Sequence, residues 1–222
     1  MPRSKGPRRS VPLVLAVGIL AGGFASASAA DAPPPAKMAA LTPKDVRTRA
    51  TVIEDHLEME TIISTERAFR STRGLFGTAW NDNHMQAAIN KRTGAVRFEV
   101  RQSVNYEGPF RNFGAVSYET STWPVTAPVV RLADNAANCV GFDIPAVCFE
   151  DLSFEVKEAE LREIAAGYRP SGPAQWTFKF RANNGQDWRA ALMRAEVAGL
   201  LNAVDDHRRK LAATRSPELA AR

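Results

Sequence analysis

Between Val96 and Tyr106 the chain alternates. Val96, Phe98, Val100, Val104 and Tyr106 occupy the even positions, with Gln102 the one polar exception, and Arg97, Glu99, Arg101, Ser103 and Asn105 occupy the odd ones. Strict period two predicts a strand with one face on a core and the other in water. Lys91-Arg92-Thr93-Gly94 ahead of it reads as a tight turn, and Glu107-Gly108-Pro109 after it as a second. The stretch Ala88–Glu119 is therefore two or three antiparallel strands, and the rest of the chain is read around it.

Further strands follow from the same period. Residues 56–66 place Leu57, Met59, Thr61, Ile63 and Thr65 on one side, with His56, Glu58, Glu60, Ser64 and Glu66 on the other. Met85–Ile89, Phe110–Glu119, Val129–Ala133 and Cys148–Val156 read as strands, with Pro128 marking an edge or a strand entry. Gln175–Ala182 carries Trp176, Phe178 and Phe180 on one face, and Asn183-Asn184-Gly185 predicts a hairpin into a return strand near Asp187–Leu192. Phe76 and Trp80 are expected on the core.

Helices are fewer. Thr42-Pro43 is an N-cap followed by a first-turn proline, so a short helix starts there. Lys157–Ala166 is helical with Gly167 as its stop. The longest helix is expected near Arg194–Leu211, where Val197, Leu200, Leu201 and Val204 form one apolar stripe. The sum is a single α+β domain over residues 42–211: a largely antiparallel sheet of about seven or eight strands with a C-terminal helix packed on one face. Residues 31–41 are a flexible Pro/Ala-rich lead-in and residues 212–222 a frayed tail.

The first thirty residues change the charge argument. Arg3, Lys5, Arg8 and Arg9 precede an apolar stretch, Val11–Phe24, and small residues that end in Ala27-Ser28-Ala29-Ala30. This is the pattern of an export signal cleaved near Ala29 or Ala30, and the apolar run is too short and glycine-rich for a membrane span. The whole chain is +5. Loss of that segment, with its four cations and no anion, leaves 192 residues at +1. No net basic field remains to attract nucleic acid, and the mature chain is expected to carry no transmembrane span. The expected location is the periplasm or the exterior. Cys139 and Cys148 are the only cysteines, and in an exported chain they are expected to pair, a closure that stabilises on the order of 2–3 kcal/mol.

The chain lacks a G-x-S-x-G elbow, an H-E-x-x-H helix, a C-x-x-C pair and a phosphate loop, so no cofactor is expected. The densest local chemistry is His56, Glu58 and Glu60, which a strand would set on one face about 6–7 Å apart, with His84 as a fourth group if the segments pair. Such a set can hold a divalent ion; a solvated strand face shows the same residues. Arg97, Arg101, Arg111, Lys179 and Arg181 are a candidate face for an anionic ligand, diluted by Glu58, Glu99 and Glu119. Asp205-Asp206-His207-Arg208-Arg209 suits a helix C-terminus.

The turn Lys91-Arg92-Thr93-Gly94, the strand after it, and Tyr106-Glu107-Gly108-Pro109-Phe110-Arg111 resemble uncharacterised secreted bacterial proteins that share a K-x-T-G turn, a strand and a Y-x-G-x-x-R motif. That resemblance implies no activity and no catalytic residue. The functional expectation is a non-enzymatic periplasmic binding or envelope-interaction module, whose partner is an envelope protein or a small ligand and whose open strand edge lies near Pro128. The alternative is a metal-dependent or hydrolytic enzyme using His56, Glu58 and Glu60.

Overall fold

In the computed structural model, which describes residues 33–66, 83–132, 138–140, 147–172 and 174–220, the chain runs α1 (Ala36–Ala39), α2 (Pro43–Arg49), β1 (Thr51–Ile53), β2 (Glu60–Ser64), β3 (Asn83–Asn90), β4 (Val96–Glu107), β5 (Phe113–Tyr118), β6 (Val125–Pro128), β7 (Val130–Arg131), β8 (Asn138–Val140), β9 (Val147–Glu155), α3 (Glu158–Ala166), β10 (Gln175–Ala182), β11 (Trp188–Met193) and α4 (Arg194–Ala220). The expected export signal over residues 1–30, the stretch holding Phe76 and Trp80, and residues 141–146 between the cysteines lie outside the described residues.

The strands form two antiparallel sheets. The larger has seven strands in the order β1-β2-β3-β4-β9-β7, with β8 also on β9; the smaller has four, in the order β11-β10-β5-β6. The expected α+β class, with a largely antiparallel sheet of about seven strands and a C-terminal helix, holds, and a second sheet of four strands adds to it. Alternation reports which side of a strand is buried and not which strand lies beside it, so the division is not written in the pattern. The two sheets meet face to face. The Phe154 ring of β9 lies 5.3 Å from Phe178 and 5.8 Å from Phe180 of β10, centroid to centroid. Fully buried Trp176 and Phe98 belong to the same core, and each such side chain contributes about 1.5–3 kcal/mol.

The Val96–Tyr106 alternation becomes β4, flanked by β3 and β9. Gly94 and Gly108, at φ 74° and 103°, turn the chain at its two ends in a region where other residues are strained. Gly185, at φ 78°, serves the β10–β11 hairpin. One residue, Val129, separates β6 of the small sheet from β7 of the large one, so the expected strand Val129–Ala133 shortens to Val130–Arg131 and begins at a crossing between sheets. Pro128 lies at an edge, as expected, because β6 ends the smaller sheet.

The strand expected over 56–66 shortens to Glu60–Ser64. Asp55 captures the chain first: its carboxylate accepts the Leu57 N–H at 2.9 Å and its carbonyl accepts the Glu58 N–H at 3.2 Å. A local turn of this kind competes with the sheet ladder.

Helix α4 covers the inner face of β2 and β3 beside the small sheet, and Val197, Leu200, Leu201 and Val204 are buried there. It continues to Ala220 rather than fraying after Leu211, since Ala212 and Ala213 favour the helix. Helix α2 crosses it. Thr42 and Asp45 close a capping box, with Asp45 N–H donating to Thr42 Oγ1 at 3.2 Å and Thr42 N–H to Asp45 Oδ2 at 3.0 Å. Ahead of it, α1 gives the lead-in one helical turn, and Met38 and Leu41 pack against Val46, Met193 and Ala195. Gly167 ends α3 at φ −75° and not in the left-handed region. A Cβ there would lie 2.7 Å from Arg194 Nη1, and that guanidinium donates to the Ile164 carbonyl at 3.0 Å. The glycine makes room for a cation that caps the helix.

Candidate functional site

The residues singled out from the sequence separate in space. His56 and Glu58 lie in the exposed turn, and His56 sits 3.6 Å from Asp55. Glu60 pairs with Asn90 at one end of β3, whereas His84 pairs with Arg101 at the other end, about 20 Å away at the strand rise. Among the described residues no three His, Cys, Asp or Glu side chains group to hold a metal ion. Arg97 and Arg101 lie on the outer face of the large sheet. Arg97 meets Glu99 and reaches Glu60 at 3.5 Å, and Arg101 reaches Glu99 at 3.4 Å. Lys179 and Arg181 lie on the outer face of the other sheet, Lys179 against Asp187 at 3.2 Å and Arg181 against Ser117 at 2.9 Å. The five-cation face therefore does not assemble.

Arg111 stands apart from those four, at the corner where the chain leaves β4 for β5. The local sequence dictates the corner: Gly108 turns the chain, Pro109 prevents the ladder from continuing, and Asn112 takes φ 53°, a conformation asparagine tolerates. Tyr106, the last core-facing residue of β4, is buried. Its hydroxyl donates to Glu150 Oε1 at 2.5 Å and accepts the Arg111 N–H at 2.9 Å. Glu150 is 3% exposed. Its other oxygen accepts from Arg131 Nε at 3.4 Å, and Arg131 also donates to Asn112 Oδ1. The Arg131 guanidinium covers the Phe110 ring at 5.1 Å. Burial, and then the bond to Glu150, push the Tyr106 phenol up to about 12.

The Arg111 guanidinium lies 4.3 Å above the Tyr106 ring and 5.9 Å from the Trp188 ring. Burial lowers its pKa. Among the described residues no carboxylate lies within ion-pair distance of it, and Glu150 acts on it only at longer range. Arg111 Nε and Trp188 Nε1 are both buried donors without an acceptor, a costly arrangement for two groups at one corner. Two guanidiniums and one carboxylate share the corner, and the carboxylate is occupied by Tyr106 and Arg131. The arrangement can receive an oxyanion against a planar cation held flat on aromatic faces. One rung away, Cys148 faces Tyr106 across β4–β9 and is bonded to Cys139 of β8, so the disulfide fixes the strand that carries Glu150.

Two other places hold unusual polarity. Glu196, in the first turn of α4, is fully buried. Its Oε1 accepts from the Thr65 hydroxyl and from Met85 N–H at 3.1 Å, and Oε2 has no partner. Burial pushes its carboxyl up to about 8. A cleft of about 250 Å3 lies between α3 and the β5–β6 turn, lined by Glu119, Ser121, Glu163 and Arg194 among others. Its polar groups are largely spent on one another or on backbone: Ser121 donates to Glu163 at 2.6 Å and Arg194 caps α3.

Asp205-Asp206-His207-Arg208-Arg209 sits in mid-helix, not at a terminus. Arg162 of α3 reaches Asp205 at 2.8 Å and Arg208 reaches Glu158 at 2.9 Å, while Arg47 of α2 reaches Asp206 at 3.3 Å. The cluster therefore joins three helices.

Glu150, Arg131 and Glu196 carry no sequence motif, yet two leave a trace. Glu150 shares parity with Cys148, Leu152 and Phe154, so it is an acid at a core position. Glu196 precedes Leu200 and Val204 by four and eight residues, so it falls on the apolar stripe. The chain matches no protein-family model, no curated protein and no solved structure.

Proposed function

We propose that the chain is an exported, non-enzymatic binding module that holds a carboxylate or phosphate group of a small ligand at the Tyr106–Arg111 corner. One observation carries this reading: a half-buried guanidinium, stacked on Tyr106 and Trp188, has no carboxylate within ion-pair distance among the described residues. Its neighbour Arg131 holds the direct ion pair with Glu150, so Arg111 feels that carboxylate only at longer range and the corner carries two cations to one acid. The leader over residues 1–30 and the Cys139–Cys148 bond support a location in the periplasm or outside the cell. The metal-dependent alternative draws no support from the separation of His56 and Glu58 from His84.

The test is titration calorimetry of the mature chain with benzoate and, separately, with inorganic phosphate, beside native mass spectrometry of protein taken from its own host. Either anion is expected to bind at one site and to lose about tenfold or more in affinity in Arg111→Gln, as loss of a charge-assisted contact predicts. No binding of either anion at millimolar concentration, or equal binding by the variant, overturns the reading.

A further inference from the structure

Strand β1 is the last strand of the seven-stranded sheet, and no strand pairs with its far side among the described residues. It is apolar where an edge is normally blunted by charge, bulge or proline. Val52 and Ile53 are 50% and 55% exposed, and Leu57 and Met59, within the next six residues, are 80% and 60% exposed. The flanks have opposite sign: Arg49 precedes the strand, Glu54 and Asp55 follow it, and all three are exposed.

An antiparallel pairing of this segment with itself is therefore complementary. With a two-fold axis at Val52, Ile53 of each copy faces Thr51 of the other, and Arg49 of each copy arrives beside Glu54 and Asp55 of the other. The same patch serves both partners, as a closed two-fold contact requires, and like charges are not opposed anywhere along it. We propose that two copies of this chain associate edge to edge through β1, joining their large sheets into one continuous sheet. The proposal is independent of the Arg111 corner, which lies beyond β4 at the far end of the fold's strand order.

Sedimentation velocity on the mature chain across a concentration series tests it. A reversible dimer is expected. Arg49→Glu and Asp55→Lys, both at exposed positions, are each expected to weaken it by roughly tenfold, the scale of two lost cross-strand charge pairs. The double variant Arg49→Glu/Asp55→Lys restores the complementarity and is expected to recover most of the affinity, which a merely structural effect would not do. Ile53→Lys, with circular dichroism as the check on folding, is expected to give a monomer. A protein that stays monomeric at every concentration overturns the proposal. So does a dimer indifferent to all four variants.

Discussion

The Tyr106 hydroxyl and the Glu150 carboxylate meet at 2.5 Å on the core side of β4 and β9, among the buried Val104, Leu152 and disulfide-bonded Cys148. Tyr106→Phe keeps the ring under Arg111 but leaves Glu150 Oε1 and the Arg111 N–H without their partner. The expected loss is about 1–3 kcal/mol in urea unfolding. In the parent protein the phenol is held up at about 12, above its unfolded value. The folded state therefore keeps a proton that the unfolded chain releases, and stability falls as pH rises from 10 to about 12. Phenolate absorbance resolves this titration, and Tyr106→Phe removes it.

Glu196 has the same sign in a more accessible range. Its folded value is about 8 against an ordinary 4.5, and no charged side chain contributes to the shift; burial raises it, while Thr65 and Met85 pull the other way. Below 4.5 both states are protonated and the stability is whole. Between 4.5 and about 8 only the folded state keeps the proton, so unfolding free energy declines with pH, by up to about 1.4 kcal/mol per pH unit. Glu196→Gln is expected to flatten that decline, with a higher melting temperature than the parent at pH 8 and little difference at pH 5. A variant that melts lower at both values would show the carboxyl to be worth more than its burial costs.

Glu158 runs in the opposite direction. Bonds from Arg208 and Arg162 hold its carboxyl down at about 2. Its contribution is present above the ordinary 4.5 and is lost as pH falls through about 2. The partly exposed setting keeps the effect small, so Glu158→Gln is expected to cost ~1 kcal/mol at pH 7 and only a small part of that at pH 2. Urea midpoints at the two pH values check it.

Gly199 is the point where α2 rests on α4. A Cβ there would come within 2.6 Å of Val46 Cγ1 and 2.9 Å of the Pro43 carbonyl oxygen. Alanine favours a helix interior over glycine by roughly 1 kcal/mol, yet Gly199→Ala is expected to destabilise, because backbone contact leaves α2 nowhere to yield. Faster hydrogen exchange in Pro43–Arg49, with the rest of α4 still protected, would locate the damage; a stabilised variant would contradict the account.

The elements that repeat a period were legible in the sequence. β4, β9, β10 and the buried stripe of α4 follow from spacing alone, and the N-cap at Thr42 follows from side-chain chemistry. What escaped has a physical cause in each case. Asp55 delays the start of β2 to Glu60 through a turn that no hydrophobic pattern encodes. Glu150 and Arg131 lie nineteen positions apart and meet only because β9 and the crossing at Val129 bring them together. Arg111 was visible as one cation among five, but its stacking on Tyr106 depends on the corner at Asn112, which the sequence places inside the expected strand Phe110–Glu119 although the strand begins only at Phe113. The helix-joining role of Asp205, Asp206 and Arg208 was hidden because their partners belong to α3 and α2.

The insertion of β5 and β6 between β4 and β9 sets an order of arrival. A chain made from its N-terminus completes the β2–β3–β4 meander from neighbours in sequence, but β4 ends at Glu107 and its second partner begins only at Val147. At about 5–20 residues per second, the twelve-residue edge of β4 waits several seconds for β9. During that interval the longest strand of the protein is its most available surface, and Arg97, Glu99 and Arg101 are the charges that guard it.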